Sequence, residues 1–177
     1  MSTVETERLV LRPWREDDAA ALYKYASDPD IGPPAGWDVH TSVENSLHIL
    51  RTVLMEENTW AVTIKPGDEP VGSAGIFPTD APDAHGAPEI GYWIGKPFWG
   101  CGYIPEAVRA LIDRCFKDGA ETVWCSHFAG NDKSRRVIEK SGFKYAFTLP
   151  RRVSLHEGAP ERDTLYYKIT REEWQHD

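Results

Sequence analysis

Between Ala87 and Phe116 the chain passes from a strand-like segment, through a glycine-punctuated loop, into a strongly periodic one. Glu89 to Ile94 is rich in aromatic and β-branched residues, the composition of a strand. Gly95, Gly100 and Gly102 mark a loop running to Tyr103. Beyond it Ile104, Ala107, Val108, Leu111, Ile112, Cys115 and Phe116 recur at i, i+3, i+4, i+7 and i+8. That spacing predicts a helix with one buried face. Glu106, Arg109, Asp113, Arg114 and Lys117 fall elsewhere on the wheel and predict a wet opposite face.

Glycines this close to a helix start give the loop a chemical capacity. Glycine tolerates positive φ, so successive backbone N–H groups can converge on an anion. The first turn of the helix adds unpaired N–H groups and the positive end of its dipole. The segment therefore reads as a phosphate or pyrophosphate cradle, or as an ordinary strand-to-helix connection. Two nucleotide motifs are excluded. Gly100-Cys-Gly-Tyr-Ile-Pro105 has proline where a dinucleotide fingerprint needs its third glycine, and no Gly-Lys-Ser/Thr follows the loop.

The rest of the chain supplies the elements of a mixed α/β sheet. Glu7 to Pro13 alternates as an opening strand, and Asp17-Asp18 start an alanine-rich helix to about Ala26. Ile31 to Trp37, with two prolines and two glycines, predicts a loop. Thr41-x-x-Glu44 is a capping box for a helix with Val43, Leu47, Leu50 and Leu54 inward. Trp60–Lys65 and Val71–Phe77 flank a turn at Pro66 and predict a hairpin. Thr122–His127 is the strand after the central helix. Asn131-Asp132 cap a further helix, with Val137 and Ile138 inward, that ends at Gly142. Lys144–Val153 and Leu165–Ile169 close the sheet around the loop 154–163, and that strand pair is a candidate dimer edge in a protein read as monomer or homodimer. The length of 177 residues fits one domain, 1–177.

The net charge of −8 argues against nucleic acid or an anionic membrane as partner and is compatible with a basic amine. The start of the chain has no basic-then-apolar leader, and no apolar run reaches the length of a membrane span. Cys101, Cys115 and Cys125 lack C-x-x-C spacing and imply reduced thiols in a cytoplasmic setting. Cys115 reads as core and Cys101 as a spacer in the loop. The six histidines show no metal-ligand spacing, so no metal site is expected.

Lys96-x-x-Trp-Gly-x-Gly-Tyr103 followed by Glu106-Ala107 resembles the acyl-CoA pyrophosphate loop of the GNAT N-acetyltransferases. Lys96 stands in place of the usual first basic or amide position, and Phe98 and Trp99 precede Gly100. The preceding Gly91-Tyr-Trp-Ile-Gly95 and the opening Thr6-Glu-Arg-Leu-x-Leu-Arg-x-Trp14 resemble the RimJ/RimL-type ribosomal-protein subgroup. The element order matches that fold along almost the whole chain.

The resemblance implies a central, mostly antiparallel sheet, splayed at the cofactor site and flanked by helices, with acetyl-CoA as cofactor. It places Tyr92, Trp93 and Ile94 along the pantetheine arm. Lys96, Trp99, Gly100, Cys101, Gly102, Tyr103 and Ile104 fall at the pyrophosphate. A bulge amide between Glu89 and Trp93 would donate to the thioester oxygen. Asn131 and Ser134 match the family's Asn-x-x-Ser: Asn131 reads as cofactor contact or N-cap, Ser134 as an acid near the sulfur or as a first-turn residue. Glu89 is the candidate base, or a structural strand-end carboxylate, with His127 as the alternative base. Trp37, the loop around His85 and the loop 154–163 would shape the acceptor pocket. The implied activity is direct acetyl transfer to a primary amine, foremost a protein N-terminus. A small-molecule acetyltransferase and a silent acyl-CoA sensor remain as alternatives.

Overall fold

A computed structural model describes residues 2–82, 84–152 and 161–175. Eight strands form one sheet: β1 Val4–Glu5, β2 Leu9–Pro13, β3 Thr59–Ile64, β4 Pro70–Pro78, β5 Pro88–Ile94, β6 Thr122–Phe128, β7 Lys144–Arg152 and β8 Arg162–Thr170. Their order is β1-β2-β3-β4-β5-β6-β8-β7, antiparallel throughout except for the β5–β6 pair. The helices are α1 Ala19–Ala26, α2 Gly32–Ala35, α3 Val43–Ile49, α4 Tyr103–Lys117, α5 Asp132–Lys140 and α6 Arg171–Gln175.

The two faces of the sheet are covered by different helices. Leu9, Leu11, Trp60, Val62, Ala74, Ile90 and Ile94 pack against Ile104, Ala107, Val108, Leu111 and Ile112 of α4. All seven apolar positions predicted for the buried helix face are buried. On the other face Ala61 and Trp93 meet Trp14, Leu22, Ala26 and Leu50 from the α1 and α3 side. Because strand side chains alternate, Glu89, Gly91 and Trp93 share this second face, while Ile90, Tyr92 and Ile94 share the α4 face.

The N-terminal region departs from expectation in three places. Ile31 to Trp37 contains α2, a single turn in which Pro33 and Pro34 occupy first-turn positions, where their missing N–H groups cost nothing. Gly36 ends it at φ 92°. The N-cap lies one residue later than Thr41-x-x-Glu44 predicts: Ser42 Oγ accepts the Asn45 N–H (3.1 Å), and Asn45 Oδ1 accepts the Thr41 N–H (3.0 Å). Val43 consequently turns outward, 39% exposed, and Leu50 carries the buried contact. Leu50–Leu54 continues α3 as a π-type turn.

Arg12 binds this region to the sheet. Its guanidinium, 5% exposed, donates to both carboxylate oxygens of Asp18 (2.8 Å each) and to Asp68 (2.6 Å).

Candidate active site

A cleft of about 1440 Å³ opens where β5 and β6 part. The two strands share a single register pair, Glu89↔Trp124. The β4–β5 register, by contrast, runs without a shift from Gly72↔Ile94 to Pro78↔Pro88. The bulge expected between Glu89 and Trp93 is therefore not in that ladder. The open edge comes instead from the divergence of β6. Gly95 N–H to Val71 O and Thr79 N–H to Ala87 O (both 2.8 Å) mark the paired positions of the ladder. Alternation then directs the amides of Tyr92 and Ile94 away from β4, toward the fork. Cys125 Sγ donates to Ile90 O (3.1 Å) and Trp99 Nε1 to Ile94 O (3.0 Å), one at each end of this edge.

At one end of the cleft lies the glycine loop. Gly100 (φ 78°) and Gly102 (φ 79°) are both left-handed, and Gly102 is the N-cap of α4. A Cβ at Gly100 would meet nothing within 4 Å, so the glycine serves backbone conformation, not crowding. The loop is held from the N-terminal strand region. Arg8 donates to the Cys101 carbonyl (3.0 Å), pairs with Glu106 (2.6 Å) and lies 4.7 Å over the Tyr103 ring. Lys133 Nζ sits 3.5 Å from the Trp99 ring centroid, and Arg136 and Lys140 of α5 also line the cleft.

Midway, Tyr92 Oη lies 2.9 Å from Ser134 Oγ and 3.1 Å from the Ser134 carbonyl. Burial, chiefly, holds the Tyr92 phenol well above its ordinary range, so it stays protonated. Asn131 is the N-cap of α5, its Oδ1 accepting the Ser134 N–H (3.2 Å), while its Nδ2 donates to Pro34 O (3.2 Å). It thus ties α5 to α2.

On the opposite face of β5, at the fork, the Glu89 carboxylate accepts Thr79 Oγ1–H (2.6 Å) and Ser126 Oγ–H (2.5 Å). Beyond it the wall is aromatic: Trp37 packs edge-on to Trp93 (5.8 Å) and to His40 (5.5 Å), with Phe77 45% exposed nearby. His127 is buried, its Nδ1 2.9 Å from Phe128 O and its ring over Tyr167. Desolvation lowers its proton affinity below the usual histidine value.

Residues 8–144 match the family described as "Acetyltransferase (GNAT) domain". The chain belongs to the GNAT acetyltransferase family. It is 34% identical to "Uncharacterized N-acetyltransferase p20" of Bacillus licheniformis over 121 residues, 66% of this chain and 67% of that protein. It is 38% identical over 88 residues to "Putative ribosomal N-acetyltransferase YdaF" of Bacillus subtilis, 49% of this chain and 47% of that one. Among solved structures, Mycobacterium smegmatis RimJ in complex with CoA-disulfide superposes with a TM-score of 0.75 at 24% identity, covering 97% of this chain and 88% of that one. The GNAT fold and N-acetyltransferase activity follow from the family, and GNAT enzymes draw their acyl group from acyl-CoA and pass it to amines.

The residues of this GNAT domain fit such a carrier: the two left-handed glycines, the open space at Gly100 and the N-terminus of a fifteen-residue helix form one wall. Glu89, Tyr92, Trp93, Ile94, Trp99, Gly100, Gly102, Tyr103, Ile104, Asn131 and Ser134 all line the cleft. Lys96 and Cys101 do not. Lys96 is paired with Asp30, which itself lines the cleft, and Cys101 is exposed, offering its carbonyl to Arg8. His85 is not among the lining residues, and most of the loop 154–163 lies outside the described residues. Thr79 and Ser126 at Glu89, and Lys133 at Trp99, were not singled out in the sequence. Lys133, two residues beyond the Asn131 cap, was findable from helix spacing; the other two were not. Among the described residues no cluster of His, Cys, Asp or Glu is placed to hold a metal ion, and no helix is long and apolar enough to cross a membrane.

Proposed function

We propose that the protein transfers the acetyl group of acetyl-CoA to a primary amine by direct attack, with a protein N-terminal α-amine as acceptor. The observation that carries this reading is the cleft itself, with a glycine anion cradle at one end, the Glu89 carboxylate at the other and the open β5 edge between them. Bound acetyl-CoA supplies an activated acyl group whose leaving thiolate needs little assistance.

The chain's own residues do the rest. Backbone N–H groups from Gly100 to Ile104 hold the pyrophosphate, aided by Lys133 and Arg136. Trp93 and Ile94 flank the arm. A fork amide, from Tyr92 or Ile94, donates to the carbonyl oxygen as negative charge develops there, an effect worth about 3 kcal/mol when the donor is well aimed. Glu89 takes the proton that the attacking amine must lose, directly or through water, a role worth about a hundredfold or more. Ser134, backed by Tyr92, donates toward the sulfur.

An α-amine titrates near 8 and a lysine near 10.4, so at neutral pH the α-amine asks less of a single carboxylate. The YdaF relative is named a putative ribosomal N-acetyltransferase, which is compatible with a protein acceptor. The test is CoA thiol release from acetyl-CoA with N-terminal peptides, lysine peptides, polyamines and aminoglycosides in parallel. Turnover with the N-terminal peptides supports the reading. Turnover confined to polyamines or aminoglycosides replaces the acceptor by a small molecule. Silence with all four, in protein that binds acetyl-CoA, points to an acceptor outside the panel or to the sensor alternative.

A further inference from the structure

We infer that Thr79 and Ser126 are positioning residues for the Glu89 carboxylate, clamping it from the two sides of β5, just past the end of β4 and on β6; this rests on the reading of Glu89 as the base. Glu89 lies at the last position where β5 and β6 are paired. Ser126 stands on β6 two residues past Trp124, the partner of Glu89, where the strands have begun to diverge. Its hydroxyl reaches back across the fork to Glu89 Oε1 at 2.5 Å. Thr79 lies immediately beyond the end of β4 and gives its hydroxyl proton to Oε2 at 2.6 Å. The direction of that bond is fixed, because a carboxylate oxygen only accepts, while Thr79 Oγ1 takes the Ala81 N–H (3.2 Å) on a lone pair.

Each carboxylate oxygen thus receives one hydroxyl, at the short length of a charge-assisted bond. Two anchors, one on β6 and one just past the end of β4, fix both the rotamer and the plane of the carboxylate, which a single bond would leave free to swing. The remaining lone pairs stay available to an amine or a water in the cleft that Glu89 lines. Thr79 is buried, so its role is exerted through Glu89 and not by touching an acceptor. Orientation of this kind acts on the chemical step, where small misplacements are costly.

The test is a double-mutant cycle read by steady-state CoA release from acetyl-CoA, with a short peptide bearing a free serine α-amine as acceptor. Ser126→Ala and Thr79→Val should each lower kcat by about tenfold with KM for acetyl-CoA unchanged. Ser126→Thr and Thr79→Ser, which keep the hydroxyl, should restore most of the rate, which also excludes a folding defect as the cause. In a Glu89→Gln background, Ser126→Ala should cost nothing further, since a residue acting through the carboxylate has nothing left to orient.

Full activity in Ser126→Ala and Thr79→Val, with Glu89→Gln impaired, would overturn the clamp and leave the base standing. An undiminished loss from Ser126→Ala in the Glu89→Gln background would also overturn it. Full activity in Glu89→Gln, or no turnover by the parent protein, would remove the base and the clamp together.

Discussion

Glu89 and Trp124 form the single register pair between β5 and β6, and the cleft begins where that pairing stops. The β5 edge beyond Glu89 exposes its outward amides to a ligand because β6 has turned toward β8, with which it pairs from Thr122↔Thr170 to Phe128↔Thr164. One ladder is thus sacrificed at the site while the next remains whole.

The glycine loop offers the first prediction. Gly100 sits at φ 78° with open space where a Cβ would stand, so Gly100→Ala strains the backbone without a clash. A left-handed non-glycine residue costs about 1–2 kcal/mol. Relaxing that strain turns amides away from the cradle. Titration calorimetry should show CoA binding weakened by about tenfold, with Tm lowered by about 2–8 °C. Unchanged affinity would mean that this amide does not face the anion.

Arg12 gives a stability prediction independent of catalysis. Arg12→Leu leaves Asp18, whose side chain is 8% exposed, without its bidentate partner. Breaking one side of a buried pair costs about 3–5 kcal/mol. Urea denaturation should show a loss in this range, and a loss below about 1 kcal/mol would place the network with ordinary surface pairs.

His40 and His127 set a pH dependence. Desolvation holds both below the ordinary histidine value, about 6.5. As pH falls, the unfolded chain binds these protons first. Their stabilising contribution is complete above about pH 6.5 and is lost as pH falls through that value toward the folded ones. The Tm should drop between about pH 7 and about pH 5, and the drop should be smaller in His127→Gln and in His40→Gln. A slope of Tm with pH identical in all three proteins would contradict this.

Tyr92→Phe isolates the support of Ser134. Loss of the hydroxyl removes a bond at 2.9 Å to Ser134 Oγ, a contribution of about 1 kcal/mol, or about fivefold in rate. The predicted result is a lower kcat with unchanged CoA affinity. An unchanged kcat would mean that Ser134 is held by Asn131 and α5 alone.

Much of this architecture was legible in the chain because local pattern and tertiary burial agree. The α4 stripe from Ile104 to Phe116 is both periodic and buried, and the glycines at 100 and 102 are needed where the backbone is left-handed. Legibility failed where two local signals competed. Ser42 and Asn45 outbid Thr41 and Glu44 for the cap, and one residue of slip put Val43 in solvent. Two prolines that read as loop are tolerated in the single turn of α2. The clamp on Glu89 was not readable at all, since Thr79 and Ser126 lie 10 and 37 residues away and only the register of three strands brings them together.

The most direct test of the central claim is CoA thiol release from acetyl-CoA, with a free α-amine peptide, by the parent protein and Glu89→Gln side by side. Amine-dependent release by the parent, reduced about a hundredfold in kcat in Glu89→Gln while acetyl-CoA still binds, is the predicted result. Amine-dependent release at equal rates in both proteins would contradict the assignment of Glu89 as the base.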